Sequence, residues 1–137
     1  MTMDISPGGV ELLGDRDALH RFHFEQTAVR GELVHLDDTW RETLARHHYP
    51  LALANLLGEL MAAAALLAAS IKNEGRLIME IRGDGAVHLA TGECSRNGTM
   101  RGLVRWREPL VEGSLADMVG NGQLLVTTEG RGPEQPR

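Results

Sequence analysis

One thiol and six imidazoles are the groups in this chain best suited to chemistry. Cys94 is the only cysteine, so it can neither close an internal disulfide nor build a thiolate zinc site by itself. As a nucleophile it would need a lowered thiol pKa and a nearby base. His88 stands six positions before it, but sequence proximity sets no geometry. The plainer reading of Cys94 is a small hydrophobe or a loop thiol. His20 and His23 are three apart on a strand pattern, which sends them to opposite faces. His47 and His48 adjoin a helix end, where a cation complements the dipole, while His35 and His88 stand alone. No pair has the helical spacing of a metal protease. No catalytic or metal site is expected from these residues.

Two glycine-rich strings could be taken for phosphate loops. Gly83-Asp84-Gly85 lacks the later glycine and following helix of a dinucleotide fingerprint, and Gly120-Asn121-Gly122 has the same defect. Both are expected to be turns. Arg101, Arg105 and Arg107 could form a basic ridge, but alternation makes a solvated strand face the better account. Met61, Met79, Met100 and Met118 occupy apolar positions and read as core, with a pliable binding surface as the alternative.

Composition narrows the classes further. The chain has 137 residues, 42% hydrophobic and 24% charged, which suits one domain with a modest core. A net charge of −5, no Lys/Arg run and 4% aromatic residues argue against nucleic-acid binding. The start lacks the basic-then-apolar order of a signal peptide, so a cytoplasmic location is expected. Residues 1–15 and 130–137, rich in Gly and Pro, are expected to be flexible tails around a core at 16–129.

These residues need elements to hold them. Leu19–Glu25 alternates like a half-buried strand, with His20, Phe22 and Phe24 on one face. Val29–Leu36 reads as a second strand, with Gly31 marking a bulge or close approach. Thr39 and Glu42 fit a capping box for a short helix from about Trp40 to His47–Tyr49. Pro50 suits the first position of a long helix reaching Asn73, with Lys72 in its last turn and Gly75 as terminator. Its stripe is Leu53, Leu57, Leu60, Ala64, Leu67 and Ile71, with Asn55, Glu59 and Ser70 opposite. The segment is long enough to span a membrane. Glu59, Asn55 and the many alanines favour a core helix covered on more than one side.

Beyond Gly75 the period is two. Leu77, Met79 and Ile81 alternate on one strand, Asp84-Gly85 signals a tight hairpin, and Ala86–Thr91 returns. Ser95–Gly98 turns into a strand with Met100, Gly102, Val104 and Trp106 on one face. Ser114–Val119 fits one helical turn and Gln123–Thr128 a last strand. The order predicts an α+β domain: mostly antiparallel sheet packed on a long buried helix plus a short helix, in a β/β/α layering.

Several strings taken together resemble one family. Phe24-Glu25, then Ala28-Val29-Arg30-Gly31-Glu32-Leu33-Val34, looks like the opening of the thirty-three-kilodalton heat-shock chaperonin family. His48-Tyr49-Pro50, the helix through Glu59-Leu60, Gly83-Asp84-Gly85, Met100-Arg101-Gly102 and Val119-Gly120-Asn121-Gly122 follow in family order. The resemblance runs from about Arg16 to Thr128. It implies the N-terminal core of a bacterial cytosolic holdase that binds unfolding proteins under oxidative stress without hydrolysing ATP. It also implies a homodimer, with exchange of elements as an option. Family members carry a C-terminal redox switch in which four cysteines, as Cys-x-Cys and Cys-x-x-Cys, bind zinc. Cys94 matches none of them, so no cofactor is expected in this chain, and its core is expected to be incomplete and without redox control.

The expected partners are unfolded client proteins, with no nucleic acid and no membrane. The alternating apolar set Leu77, Met79, Ile81, Val87 and Leu89 is the candidate client contact, against the plainer reading that it packs on the long helix. Two rival classes remain. One is an assembly module whose client binding lies in segments beyond this sequence. The other is an enzyme using Cys94 or a histidine.

Overall fold

A computed structural model describes residues 3–7, by backbone alone, 14–71 and 75–130. The elements run β1 (Met3–Pro7), β2 (Ala18–Phe24), β3 (Arg30–His35), α1 (Asp38–Ala45), α2 (Leu51–Ser70), β4 (Arg76–Arg82), β5 (Val87–Ser95), β6 (Met100–Trp106), α3 (Leu115–Val119) and β7 (Gln123–Glu129). They build two antiparallel sheets, ordered β1-β2-β3 and β6-β5-β4-β7. The α+β class is as the alternation predicts. Residues Met3–Pro7, expected in a tail, instead pair with β2 as an edge strand, where a proline is tolerated. The rest of that expectation, at 8–13 and 131–137, lies outside the described residues.

The long helix is the element both sheets share. On one side Leu57, Leu60 and Met61 press on β5 and β6; on the other, β3 lies along it. Ten of its side chains are buried, from Leu53 and Leu57 round to Ala65 and Ala69. That spread over more than one face explains why it is apolar enough to cross a membrane by length and composition and is yet a core helix here. The directly paired glycines Gly92 and Gly102 make the contact possible. A Cβ on Gly102 would stand 2.7 Å from Met61 Sδ, and one on Gly92 would stand 3.1 Å from the Leu60 carbonyl oxygen. A bare patch of sheet therefore lets the helix backbone settle onto it. Gly31 is likewise a close approach, occupied by the Phe22 ring from across the ladder.

Several boundaries differ from the pattern reading. Helix α1 starts at Asp38, and the predicted Thr39–Glu42 capping box is absent. Asp17 supplies the cap from a distance, accepting the Asp37 N–H at 2.6 Å, the Thr39 N–H and the Thr39 hydroxyl. A carboxylate from another segment satisfies the orphan donors, so the local box has nothing left to do. Helix α1 also ends earlier, at Ala45, and α2 ends at Ser70; Lys72 and Asn73 lie outside the described residues. Arg21 closes the α2 C-terminus, donating to the Ala69 carbonyl while bonding Glu32, which accepts the Ser70 hydroxyl at 2.9 Å. A cation there complements the helix dipole. Consequently the core-facing residues of β2 are Leu19, buried, and Arg21, whereas Phe22 and Phe24 lie half-buried on the other face.

Candidate functional site

The residues nominated for chemistry do not gather. Cys94 is buried on β5, its Sγ 3.7 Å from the Ser95 carbonyl oxygen, and burial pushes its thiol up to about 11. At neutral pH that sulfur is a thiol rather than a thiolate, the opposite of an activated nucleophile. His20 on β2, His35 on β3, and the adjacent His47 and His48 between α1 and α2 are all exposed. His47 tilts against Tyr49 at 5.6 Å, and Tyr49 tilts against Trp106 at 5.7 Å and accepts the Val104 N–H at 3.3 Å. That aromatic row fastens the α1–α2 elbow to β6, which gives His48-Tyr49-Pro50 a structural reason. His88 is half-buried, and its Nδ1 has no hydrogen-bond partner. No group of three or more His, Cys, Asp or Glu side chains converges among the described residues.

The two glycine strings meet each other. The Asp84 carboxylate accepts the Asn121 backbone N–H at 2.7 Å and its Nδ2 at 3.1 Å, and Gly85 N–H donates to the Val119 carbonyl at 2.8 Å. The two Asn121 donors, backbone first, hold the Asp84 carboxyl below the usual carboxylate range. A Cβ on Gly83 would lie 2.2 Å from the Val119 oxygen, and one on Gly85 would lie 2.5 Å from the Met118 oxygen. Gly120 has φ +73°, in the left-handed region. The expected two-residue Asp-Gly hairpin is thus a four-residue connection, 83–86, without positive φ at Asp84 or Gly85. Its glycines serve backbone-to-backbone contact. This clasp anchors the long connection that carries the chain from β6, at one sheet edge, to β7 at the other. Helix α3 within it is closed by Ser114 and Asp117, which bond each other's backbone N–H at 3.1 and 3.0 Å.

The five nominated client contacts lie mostly inside. Leu77 and Val87 are fully buried and Met79 nearly so, while Ile81 and Leu89 are half-buried. Helix α2 lies on the face of the β4–β5 hairpin that carries Leu77, Met79 and Ile81, whereas Leu89, paired with Arg82, lies on the other face. The accessible apolar surface is elsewhere, on β7. All seven of its residues are exposed, and Leu124, Leu125 and Val126 keep 59%, 36% and 47% of their surface. Register places Leu124 and Val126 on the same face as Ile81 and Met79, and Leu125 on the other. Helix α2 sits over β5 and its neighbours β4 and β6 and leaves β7 exposed. Sequence reasoning found the strand and missed its exposure. The unalternating Leu124-Leu125-Val126 run was the available signal, since it serves both faces at once.

Fold and surface define a small α+β core with apolar side chains exposed along β7. The chain belongs to the Hsp33 protein family, whose model matches residues 17–137. It is similar to proteins named 33 kDa chaperonin. That of Nitrosococcus oceani is 42% identical over 125 residues, 90% of this chain and 43% of the relative. That of Methylobacillus flagellatus is 44% identical over 121 residues, 88% of this chain and 41% of the relative. That of Pseudomonas savastanoi pv. phaseolicola is 45% identical over 119 residues, covering 85% and 40%. The chain thus spans about two fifths of the length of these relatives.

Proposed function

We propose that this chain is the N-terminal core of a redox-regulated, ATP-independent holdase chaperone of the bacterial cytoplasm, binding unfolding proteins under oxidative stress. Membership of the Hsp33 family and the chaperonin name of its relatives support the chaperone class. The observation that carries the reading is β7, exposed along its whole length with three consecutive large apolar residues. A holdase needs apolar surface that it can offer reversibly, and that is the surface present here. Redox control belongs to cysteines other than Cys94, whose thiol is buried and protonated. The chain works as a homodimer, with exchange of elements as the route that hides the most apolar area. Sedimentation as a clean monomer at micromolar concentration would remove that last point.

A second reading is favoured by the burial of Leu77, Met79 and Val87. If those were the client contacts, the fold in hand would keep them covered, and the chain would serve as a structural or dimerisation module. Client binding would then lie in the segments by which the relatives are longer. Light scattering with a chemically unfolded client decides. Suppression of aggregation by this chain supports the holdase core; full aggregation in its presence supports the module.

A further inference from the structure

We infer that Asn121 is a modification site guarded by Asp84. While the clasp is closed its side-chain amide is protected. Once the clasp opens, the Gly122 nitrogen converts Asn121 to aspartate or isoaspartate, and neither product can close the clasp again. The step needs only water. The Gly122 main-chain nitrogen attacks Asn121 Cγ, so that a C–N bond forms and the Cγ–Nδ2 bond breaks. Nδ2 leaves as ammonia with the proton that Gly122 gives up. Water then opens the cyclic imide. Attack at Cγ gives aspartate; attack at the main-chain carbonyl gives isoaspartate, whose backbone runs through the side chain. A following glycine favours the closure, because no Cβ stands in its way.

Asn97 and Asn121 both precede glycine, and the fold treats them oppositely. At Asn97-Gly98 the attacking nitrogen is tied up, since Gly98 is buried and its N–H donates to the Ser95 carbonyl at 3.0 Å. That hairpin uses the Asn97 oxygen, which accepts the Thr99 N–H at 3.1 Å. Aspartate supplies such an oxygen equally well, so conversion there leaves the turn intact. At Asn121-Gly122 both residues are exposed, and the Gly122 N–H has no hydrogen-bond partner among the described residues. Here the fold uses the Asn121 nitrogen, Nδ2 donating to Asp84 Oδ2 at 3.1 Å. Swinging Cγ onto the Gly122 nitrogen breaks that bond, so Asp84 sets the rate. Aspartate lacks the donor and sets a second negative charge against Asp84. Isoaspartate lengthens the very backbone whose Asn121 N–H reaches Asp84 Oδ1 at 2.7 Å. The glycine itself is required: a Cβ at 122 would stand 2.4 Å from Val119 Cγ1 and 3.2 Å from the Arg82 carbonyl oxygen. Packing thus demands the residue that makes the asparagine reactive.

The test ages the full chain in mildly alkaline buffer and follows both asparagines by peptide mapping, with protein-isoaspartate methyltransferase to quantify isoaspartate. In Asp84→Ala, conversion at Asn121 should run about tenfold faster than in wild type, the worth of one or two lost hydrogen bonds, while conversion at Asn97 stays unchanged. Two variants then imitate the product. Asn121→Asp should lower Tm by roughly 5 °C, whereas Asn97→Asp should leave it within about 2 °C of wild type. An unchanged or slower rate at Asn121 in folded Asp84→Ala would overturn the inference, as would an Asn121→Asp chain as stable as wild type. Equal acceleration at both asparagines would assign the effect to global unfolding and overturn it too. Should Asp84→Ala not fold, Asp84→Asn, which keeps one acceptor oxygen, takes its place, with a smaller rise at Asn121 alone expected and no rise overturning the inference.

Discussion

Adding one methyl group at Gly83 should separate the clasp that anchors the β6–β7 connection. The Cβ of Gly83→Ala would fall 2.2 Å from the Val119 carbonyl oxygen, a main-chain atom that cannot rotate away. Relief requires the 118–122 turn to withdraw from the 83–86 turn. That movement gives up the Gly85 N–H to Val119 bond and strains both Asn121 donations to Asp84. Each such bond contributes about 1 kcal/mol net. Met118 and Val119, both buried, would also lose part of burial worth about 1.5–3 kcal/mol per side chain. A cost of roughly 3 kcal/mol results, equivalent in a domain of this size to a fall in Tm on the order of 10 °C. Gly130→Ala is the control, because a Cβ there meets nothing within 4 Å. Equilibrium denaturation in urea, with the midpoint and slope fitted together, measures both. If Gly83→Ala lies within about 0.5 kcal/mol of wild type, the ordinary range for surface changes, the account of the two glycine strings is refuted.

Other predictions concern the core and its titration. Leu57→Ala removes a fully buried side chain beneath the Gly92–Gly102 patch and should cost about 2–5 kcal/mol; an unchanged denaturation midpoint would contradict the role given to α2. The Cys94 thiol, pushed up to about 11 by burial, should resist iodoacetamide at pH 8 in the native protein and react promptly in denaturant. Rapid native labelling would place it elsewhere. Asp84 has a folded pKa held below its unfolded value, so its contribution is present above the ordinary carboxylate range near 3.9 and is lost as pH falls through the folded value. The stability gap between wild type and Asp84→Asn should therefore narrow on acidification; a gap that widens would reverse the sign of the linkage.

Much of this fold was legible in local pattern. Periods of two and 3.6 placed nearly every strand and the long helix, because side-chain alternation follows directly from backbone geometry. The Ser95–Gly98 turn, with Gly98 at φ 88°, and the outward arginines of β6 were readable for the same reason. Pattern failed where a distant segment took over a local task. Thr39 was assigned a capping partner three residues ahead, yet its hydroxyl bonds Asp17. Asp84-Gly85 read as a tight hairpin, yet its glycines exist for a turn some 35 residues away.

What the sequence by itself determined is the α+β class, the run of strands around one apolar helix, and, through a set of short strings in order, the family. What only the tertiary structure decided is which apolar side chains remain available. Leu77 and Val87 look as exposed on paper as Leu124 and Val126, since each belongs to an apolar strand stretch. The difference is the width of a helix. Lying over β5, α2 closes the inner face of the neighbouring strands and leaves β7 exposed, and that placement of one element on others is something no residue encodes alone.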